Sequence, residues 1–124
     1  GGKLYISGNN MAESLSQNNP DFLRDYLHAG YLTSPLSHDL LTGRDFLSGM
    51  TLNISMAGDD QISLQPGAVG ILDSSDEDGV FDWAGLRWDT GYRLVFTSVN
   101  PKAVTFPAPG TFLAEIITWL DGGA

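Results

Sequence analysis

The first residue that could do chemistry is a serine in a tight turn. Ser7 ends a short run in which Leu4 and Ile6 alternate with Tyr5, and Gly8–Asn9 follows it. In α/β enzymes, a sharp turn between a strand and a helix carries the nucleophile. The hydrolase pattern Gly-x-Ser-x-Gly requires a glycine two residues before the serine, and Tyr5 stands at that position. The sequence therefore favours Ser7 as a polar turn residue over Ser7 as a nucleophile.

A serine nucleophile needs a base, and His28 and His38 are the two histidines of the chain. In a catalytic triad the histidine is oriented by an acid. His28 is predicted in the last turn of a helix that starts at Pro20, where a cation suits the negative end of the helix dipole. His38 precedes Asp39 in a predicted loop, which favours a solvent-exposed pair. The chain has no cysteine, so thiol catalysis, disulfides and thiolate metal sites are excluded.

The densest cluster of carboxylates runs from Asp73 to Gly79. Asp73, Asp76 and Asp78 supply the hard oxygen ligands that Ca²⁺ takes in proteins. Their spacing lacks the EF-hand pattern with its distant glutamate. A solvated acidic loop is the favoured interpretation, and a weak Ca²⁺ site is the alternative. No other cofactor is indicated.

Aromatic side chains form the last group with a possible binding role. Tryptophan and tyrosine rings stack on sugar faces and on cations, so a carbohydrate platform is one hypothesis. Core packing is the favoured one, because Trp119 fits the apolar stripe of a helix and Trp88 lies in a predicted strand. The residues in question are Trp83, Trp88 and Trp119, with Phe81 and Tyr92.

The composition limits the possible partners. The 124 residues suffice for one domain, and 15 acidic against 6 basic residues give a net charge of -9. Such a surface repels phosphates, which argues against nucleic-acid binding. No apolar stretch approaches the ~20 residues of a membrane span.

The chemistry-bearing residues are positioned by alternating short elements. Apolar residues four apart predict a helix after Asn9 and a second helix from Pro20, and residues 34–50 are predicted to be rich in loops. A closing helix is predicted over Thr111–Leu120, with Leu113, Ile116, Ile117 and Leu120 on one buried stripe. Strands are predicted at Lys3–Ser7, Tyr31–Thr33, Thr51–Met56, Ile62–Leu64 and Val69–Leu72, and a hairpin at 84–88 and 92–99.

Three segments together resemble a known family. They are GGKLYISGNNMAESLSQNNPDFLRDYLHAGYLTS, AGLRWDTGYRLVFTSVNPKAV and FLAEIITWL. They resemble the class I glutamine amidotransferase-like domain of exported multidomain bacterial proteins. The resemblance implies a three-layer flavodoxin-like α/β fold, with a mainly parallel sheet, helices on both faces and a hairpin near the C-terminus. The glycine-flanked opening strand and the buried run Leu94–Phe96 predict, in addition, that Lys3–Ser7 and Tyr92–Ser98 are neighbouring or near-neighbouring interior strands of this sheet.

The family's catalytic residues do not carry over to this chain. Its enzymes place a cysteine at the elbow, where this chain has Ser7, Gly8 and Asn9. They place a histidine and a glutamate after a late strand, where this chain reads Val99-Asn100-Pro101-Lys102. The resemblance therefore implies a non-catalytic structural or interaction domain of a larger exported protein. A hydrolase or amidotransferase with a nonstandard site, and a calcium-dependent surface module, are the alternatives.

The resemblance also bears on the organisation of the protein. In the family, further strands precede the one at Lys3–Ser7, so residues 1–124 are expected to be one domain that forms the C-terminal part of a larger α/β domain. The expected partners are other domains or a chain of the same parent protein. Homo-oligomers, or complementation by another chain, would cover the first strand. An extracellular or cell-envelope location is implied.

Overall fold

The computed structural model describes residues 2–33, 36, 40–55, 60–74, 82–106 and 109–122. Within them, helices α1 and α2 follow the first strand, and helix α3 closes the chain. The helices are α1 Met11–Asn18, α2 Pro20–Asp25 and α3 Pro109–Leu120. The strands are β1 Lys3–Ser7, β2 Ala29–Thr33, β3 Leu40–Gly43, β4 Thr51–Ile54, β5 Gln61–Leu64, β6 Val69–Asp73, β7 Trp83–Trp88, β8 Arg93–Thr97 and β9 Val104–Phe106.

The strands form one mixed sheet, and this corrects the predicted fold class. The main order is β1-β8-β7-β6-β3-β4-β9, and β5 joins β2 to β7. Among the described residues, seven of the eight strand pairings are antiparallel and one is parallel. The prediction of a mainly parallel, three-layer flavodoxin-like sheet is therefore wrong.

The physical reason lies in the connections between strands. A parallel pair needs a crossover of a dozen or more residues, usually a helix. In the described residues between β2 and β8, the helical structure is a single short 3-10 turn at Asp45–Leu47. The strands in this region accordingly fold back on one another as antiparallel neighbours. One of them, β3, falls where the sequence predicted mainly loop.

The one parallel pair joins β1 to β8 in unbroken register, from Lys3 opposite Arg93 to Ser7 opposite Thr97. The prediction that these two strands are neighbours or near-neighbours is confirmed. The prediction that both are interior strands is wrong for β1, which lies at the end of the sheet.

Strand β8 divides two hydrophobic cores. Val95 packs in the core beneath α3, whereas Leu94 and Phe96 pack in the core beneath α1 and α2. All three side chains are fully buried, which confirms a strand that is covered on both faces.

Helix α3 is rotated relative to its predicted stripe. Phe112, Ile116, Trp119 and Leu120 are buried against the sheet, while Ile117 is 57% exposed and Leu113 is half-buried. The predicted stripe is thus correct for Ile116 and Leu120. Its other two members lie on the flank of the helix.

Candidate functional site

The predicted elbow lies at the end of β1, and its side chains form a directed chain of hydrogen bonds. The Thr97 hydroxyl donates to the carbonyl oxygen of Val99 at 2.8 Å. The phenol oxygen of Tyr5 lies 2.8 Å from the Thr97 hydroxyl, so Tyr5 is the donor in that bond. Tyr5 has then used its one hydrogen in the bond with Thr97.

The protonation of Tyr5 argues against an activated Ser7. Burial raises the pKa of the Tyr5 phenol, while the hydrogen bonds with Thr97 and Ser7 have a smaller, lowering effect. A neutral phenol does not withdraw the proton of a serine. A nucleophilic serine needs a base at this position, and Ser7 faces a tyrosine instead.

Asp60 holds helix α1 beside the end of β8. Its carboxylate accepts a hydrogen bond from the backbone N–H of Glu13 at 3.0 Å, within the first turn of α1. Its own carbonyl accepts one from the Ser98 hydroxyl at 2.6 Å. Asp60 is fully buried. Sequence reasoning missed this residue, because nothing in an Asp-Asp turn indicates which carboxylate will cap a helix 47 residues away.

His28 lies away from the elbow and packs in a core. Helix α2 ends at Asp25, so the predicted position of His28 within its last turn is wrong. The imidazole stacks on Trp88, with ring centroids 3.5 Å apart and an interplanar angle of 7°. Trp88 is opposite Leu94 near the start of β8, whereas Ser7 is opposite Thr97 at its end.

The hydrogen bonds of His28 fix its tautomer. The Tyr92 hydroxyl donates to the carbonyl of Tyr26 at 2.7 Å, so its bond with His28 Nε2 at 2.6 Å is donated by the histidine. Burial lowers the pKa of His28, and the negative charge of Asp25 offsets this in part. The neutral ring with its hydrogen on Nε2 is a structural donor. His38 lies outside the described residues.

Asp73, the first of the proposed calcium ligands, is engaged in the fold. One of its carboxylate oxygens accepts a hydrogen bond from Arg44 at 3.1 Å, and the other accepts one from the backbone of Asp82 at 3.1 Å. The carboxylate is almost fully buried. Asp76 and Asp78 lie outside the described residues. In the part of the chain that the structure describes, no group of three or more His, Asp or Glu side chains could hold a metal ion.

The three tryptophans do not form a common platform. Trp119 stacks on Phe46 in the core beneath α3, and the Arg93 guanidinium lies 4.6 Å from its ring centroid. Trp83 and Trp88 pack against the core on the other face of the sheet. Phe81 lies outside the described residues. The arrangement of the tryptophans fits core packing.

The side of β1 that faces away from β8 is the remaining candidate for a functional site. The N–H of Arg93 donates to the carbonyl of Gly2, and the N–H of Gly8 donates to the carbonyl of Thr97. In a parallel ladder, alternate residues bond to a given neighbour, so the backbone groups of Lys3, Tyr5 and Ser7 point away from β8. No described strand pairs with that side of β1.

Apolar side chains flank this open side on both faces of the sheet. On one face Leu4 is 46% exposed, and a groove of about 460 Å³ runs from the end of β1 along the half-buried Met11 and Leu15 of α1. On the other face lie Leu113 and Ile117 of α3. We call the open backbone groups together with these five side chains the β1 edge.

An exposed ion pair lies where the end of α3 meets β1. Lys3 Nζ lies 3.2 Å from the Asp121 carboxylate, which places the end of α3 beneath the start of β1. Leu113, Ile117 and Asp121 are spaced four apart and share one side of the helix. The apolar flank of α3 therefore faces the same side as β1.

Comparison with known proteins finds no matching family model, no similar curated protein and no similar solved structure. The resemblance to glutamine amidotransferase-like domains accordingly remains a prediction. None of the helices in the described residues is long and apolar enough to span a membrane.

Proposed function

We propose that this domain is a protein-interaction module that accepts an extended strand of a partner at the β1 edge. The observation that carries the proposal is the row of outward-facing backbone groups at Lys3, Tyr5 and Ser7. An exposed sheet edge binds an extended peptide by main-chain hydrogen bonds, and neighbouring side chains supply specificity.

The surroundings of the edge support this function. Native proteins protect exposed edges with charges, prolines, bulges or covering elements, because an open apolar edge promotes aggregation. Strand β1 has one charged residue, Lys3, and the charge is paired with Asp121. Its register with β8 contains no bulge. These features suit an edge that is covered by a partner.

The elbow supports a binding role over a catalytic one. Burial raises the pKa of the Tyr5 phenol, so Tyr5 stays protonated and supplies no base for Ser7. A calcium-dependent function gains no support from Asp73, because both of its carboxylate oxygens have protein partners. The implied extracellular or cell-envelope location stays a prediction.

A pair of substitutions at Ser7 tests the proposal. The probe is a fluorescently labelled peptide of seven valines and isoleucines with a lysine at each end. Ser7→Pro removes one outward N–H and places the proline ring on the open side, where a strand must approach. Ser7→Ala removes the same hydroxyl but keeps the N–H.

We expect Ser7→Pro to weaken peptide binding by at least about tenfold, since a hydrogen bond and the close approach are both lost. Ser7→Ala should bind within about twofold of the unchanged protein. Equal affinities for the two variants, with both folded by circular dichroism, would contradict docking at the β1 edge.

A further inference from the structure

Resting on the proposed function, we infer the class of its partner: a strand that is apolar on both faces, carries neutral or basic flanks, and belongs to a different polypeptide. The inference comes from the two flanks of the β1 edge and from the charge of the chain. Each is independent of the backbone groups that carry the proposed function.

The face of the sheet that carries Leu4 and α1 favours apolar side chains on the partner strand. A strand beside β1 would place alternate residues next to Leu4, which is 46% exposed. The groove along Met11 and Leu15 continues this apolar surface beyond the end of β1. Polar residues at these positions of the partner would bury polar groups against the Leu4 side chain without hydrogen-bond partners, which costs free energy.

The second face selects apolar residues at the remaining positions. The other alternate residues of the partner would lie over the flank of α3, where Ile117 is 57% exposed. Leu113 extends this flank by one helical turn. A strand with apolar contacts on both faces has a near-continuous hydrophobic sequence, whereas a strand with one solvated face alternates.

The net charge of the chain favours a strand of a different polypeptide over a second copy of this chain. With 15 acidic and 6 basic residues, two copies would bring together two net charges of -9. The Lys3 charge at the edge is already paired with Asp121. The field of the protein therefore favours a neutral or basic partner and opposes pairing of β1 with another β1.

Two peptides of equal length and charge test the two-sided requirement. One has a continuous run of seven valines and isoleucines between lysines, and the other alternates valine with serine between the same lysines. We expect the continuous peptide to bind at least about tenfold more tightly, because the alternating one covers only one face.

Substitutions on each face add a second readout. Leu4→Ser and Ile117→Ser should each weaken the continuous peptide by about tenfold, the effect of burying half an aliphatic side chain. The alternating peptide can turn its valines to the intact face and should lose much less. Leu40→Ser is the matched control, because Leu40 has a similar exposure of 48% but lies in β3, four strands away.

The outcomes separate the inference from the proposed function. If both peptides bind equally and Ser7→Pro still blocks them, the strand-accepting function stands and the two-sided requirement is overturned. If no peptide binds and sedimentation shows a dimer that Ser7→Pro disperses, the foreign partner is overturned. Tighter binding of glutamate-flanked than of lysine-flanked peptides would overturn the charge preference.

Discussion

The two ends of the main strand order, β1 and β9, are built in opposite ways. Strand β9 has three residues, its register with β4 shifts between Asn53 and Ile54, and a 3-10 turn beginning at Pro101 precedes it. Strand β1 has five residues in unbroken register with β8. Short length and irregular register discourage a further strand from pairing. The protein thus protects one end of its main strand order and leaves the other end regular.

The difference between β1 and β9 indicates which features make a sheet edge suitable for binding a further strand. Both strands are terminal members of the same sheet, so exposure of an edge alone does not distinguish them. The distinction lies in regular backbone groups together with apolar flanks on both faces, which β1 combines and the shorter, irregular β9 does not.

The largest expected effect comes from removing the support of α1 beside the β1 edge. Asp60→Ala should lower the free energy of unfolding by about 3 kcal/mol, because the part-buried N–H of Glu13 loses its acceptor and the other contacts of the fully buried Asp60 are lost. Asp60→Asn keeps an acceptor oxygen and should cost less. Urea denaturation measures both, and an Ala variant as stable as the unchanged protein would refute this role of Asp60.

The next effect distinguishes the two sides of β1 directly. Leu4→Pro removes an N–H that faces β8, and it should lower the free energy of unfolding by about 2 kcal/mol relative to Leu4→Ala. Ser7→Pro removes an N–H that faces outward and should cost less than about 1 kcal/mol relative to Ser7→Ala. Thermal or urea unfolding of the four variants gives the answer. The reverse ranking would show that the assignment of outward groups is wrong.

The smallest expected effect is a pH dependence of the free energy of unfolding that comes from His28. It should leave peptide binding at the β1 edge unchanged. Burial lowers the pKa of folded His28 from its ordinary value of 6.5. Between the folded pKa and pH 6.5, the unfolded chain binds a proton at His28 and the folded chain does not. The contribution of the neutral His28 ring to the free energy of unfolding is therefore fully present above about pH 6.5. It is lost as the pH falls through the folded pKa.

The matched variant for this prediction is His28→Asn. His28 has a φ of 58°, a conformation that asparagine also adopts readily. Stability curves from pH 5 to 8 should fall less steeply on the acid side for the variant. The groups around His28 are Asp25, Tyr26 and Tyr92, and the substitution keeps all three. Parallel curves for the two proteins would exclude His28 as the source of the slope.

Local patterns predicted much of the secondary structure. The strand predicted from the alternation in Thr51–Met56 is observed over Thr51–Ile54, and the hairpin predicted around a glycine-containing turn corresponds to β7 and β8. The glycine-flanked opening strand and the buried Leu94–Phe96 run also predicted that β1 and β8 are neighbours or near-neighbours, and the two strands pair directly. Strand β3 was missed, because Pro35, Gly43 and Gly49 interrupt its segment and its pattern spans only four residues.

The order of strands could not be predicted from local patterns. Leu4 and Ile6 alternate with Tyr5 whether β1 has one neighbour or two, so the pattern does not distinguish an edge from an interior strand. The same limit applies to the candidate site. Ser7, Gly8 and Asn9 were chosen for side-chain chemistry, whereas the proposed site depends on backbone direction, which only the pairing partner reveals.

The parallel pairing of β1 with β8 also has a kinetic consequence. Tyr5 and Thr97 are joined across 92 positions of the chain, whereas β7 and β8 are neighbours in sequence. Closing so long a loop costs entropy before any contact repays it, so β1 is expected to dock late in folding. Held by a single ladder, it is also expected to detach first, with rapid amide exchange at Leu4 and Ile6. While β1 is detached, its place on β8 is open to a strand of another molecule, so slow refolding at high concentration should favour strand exchange.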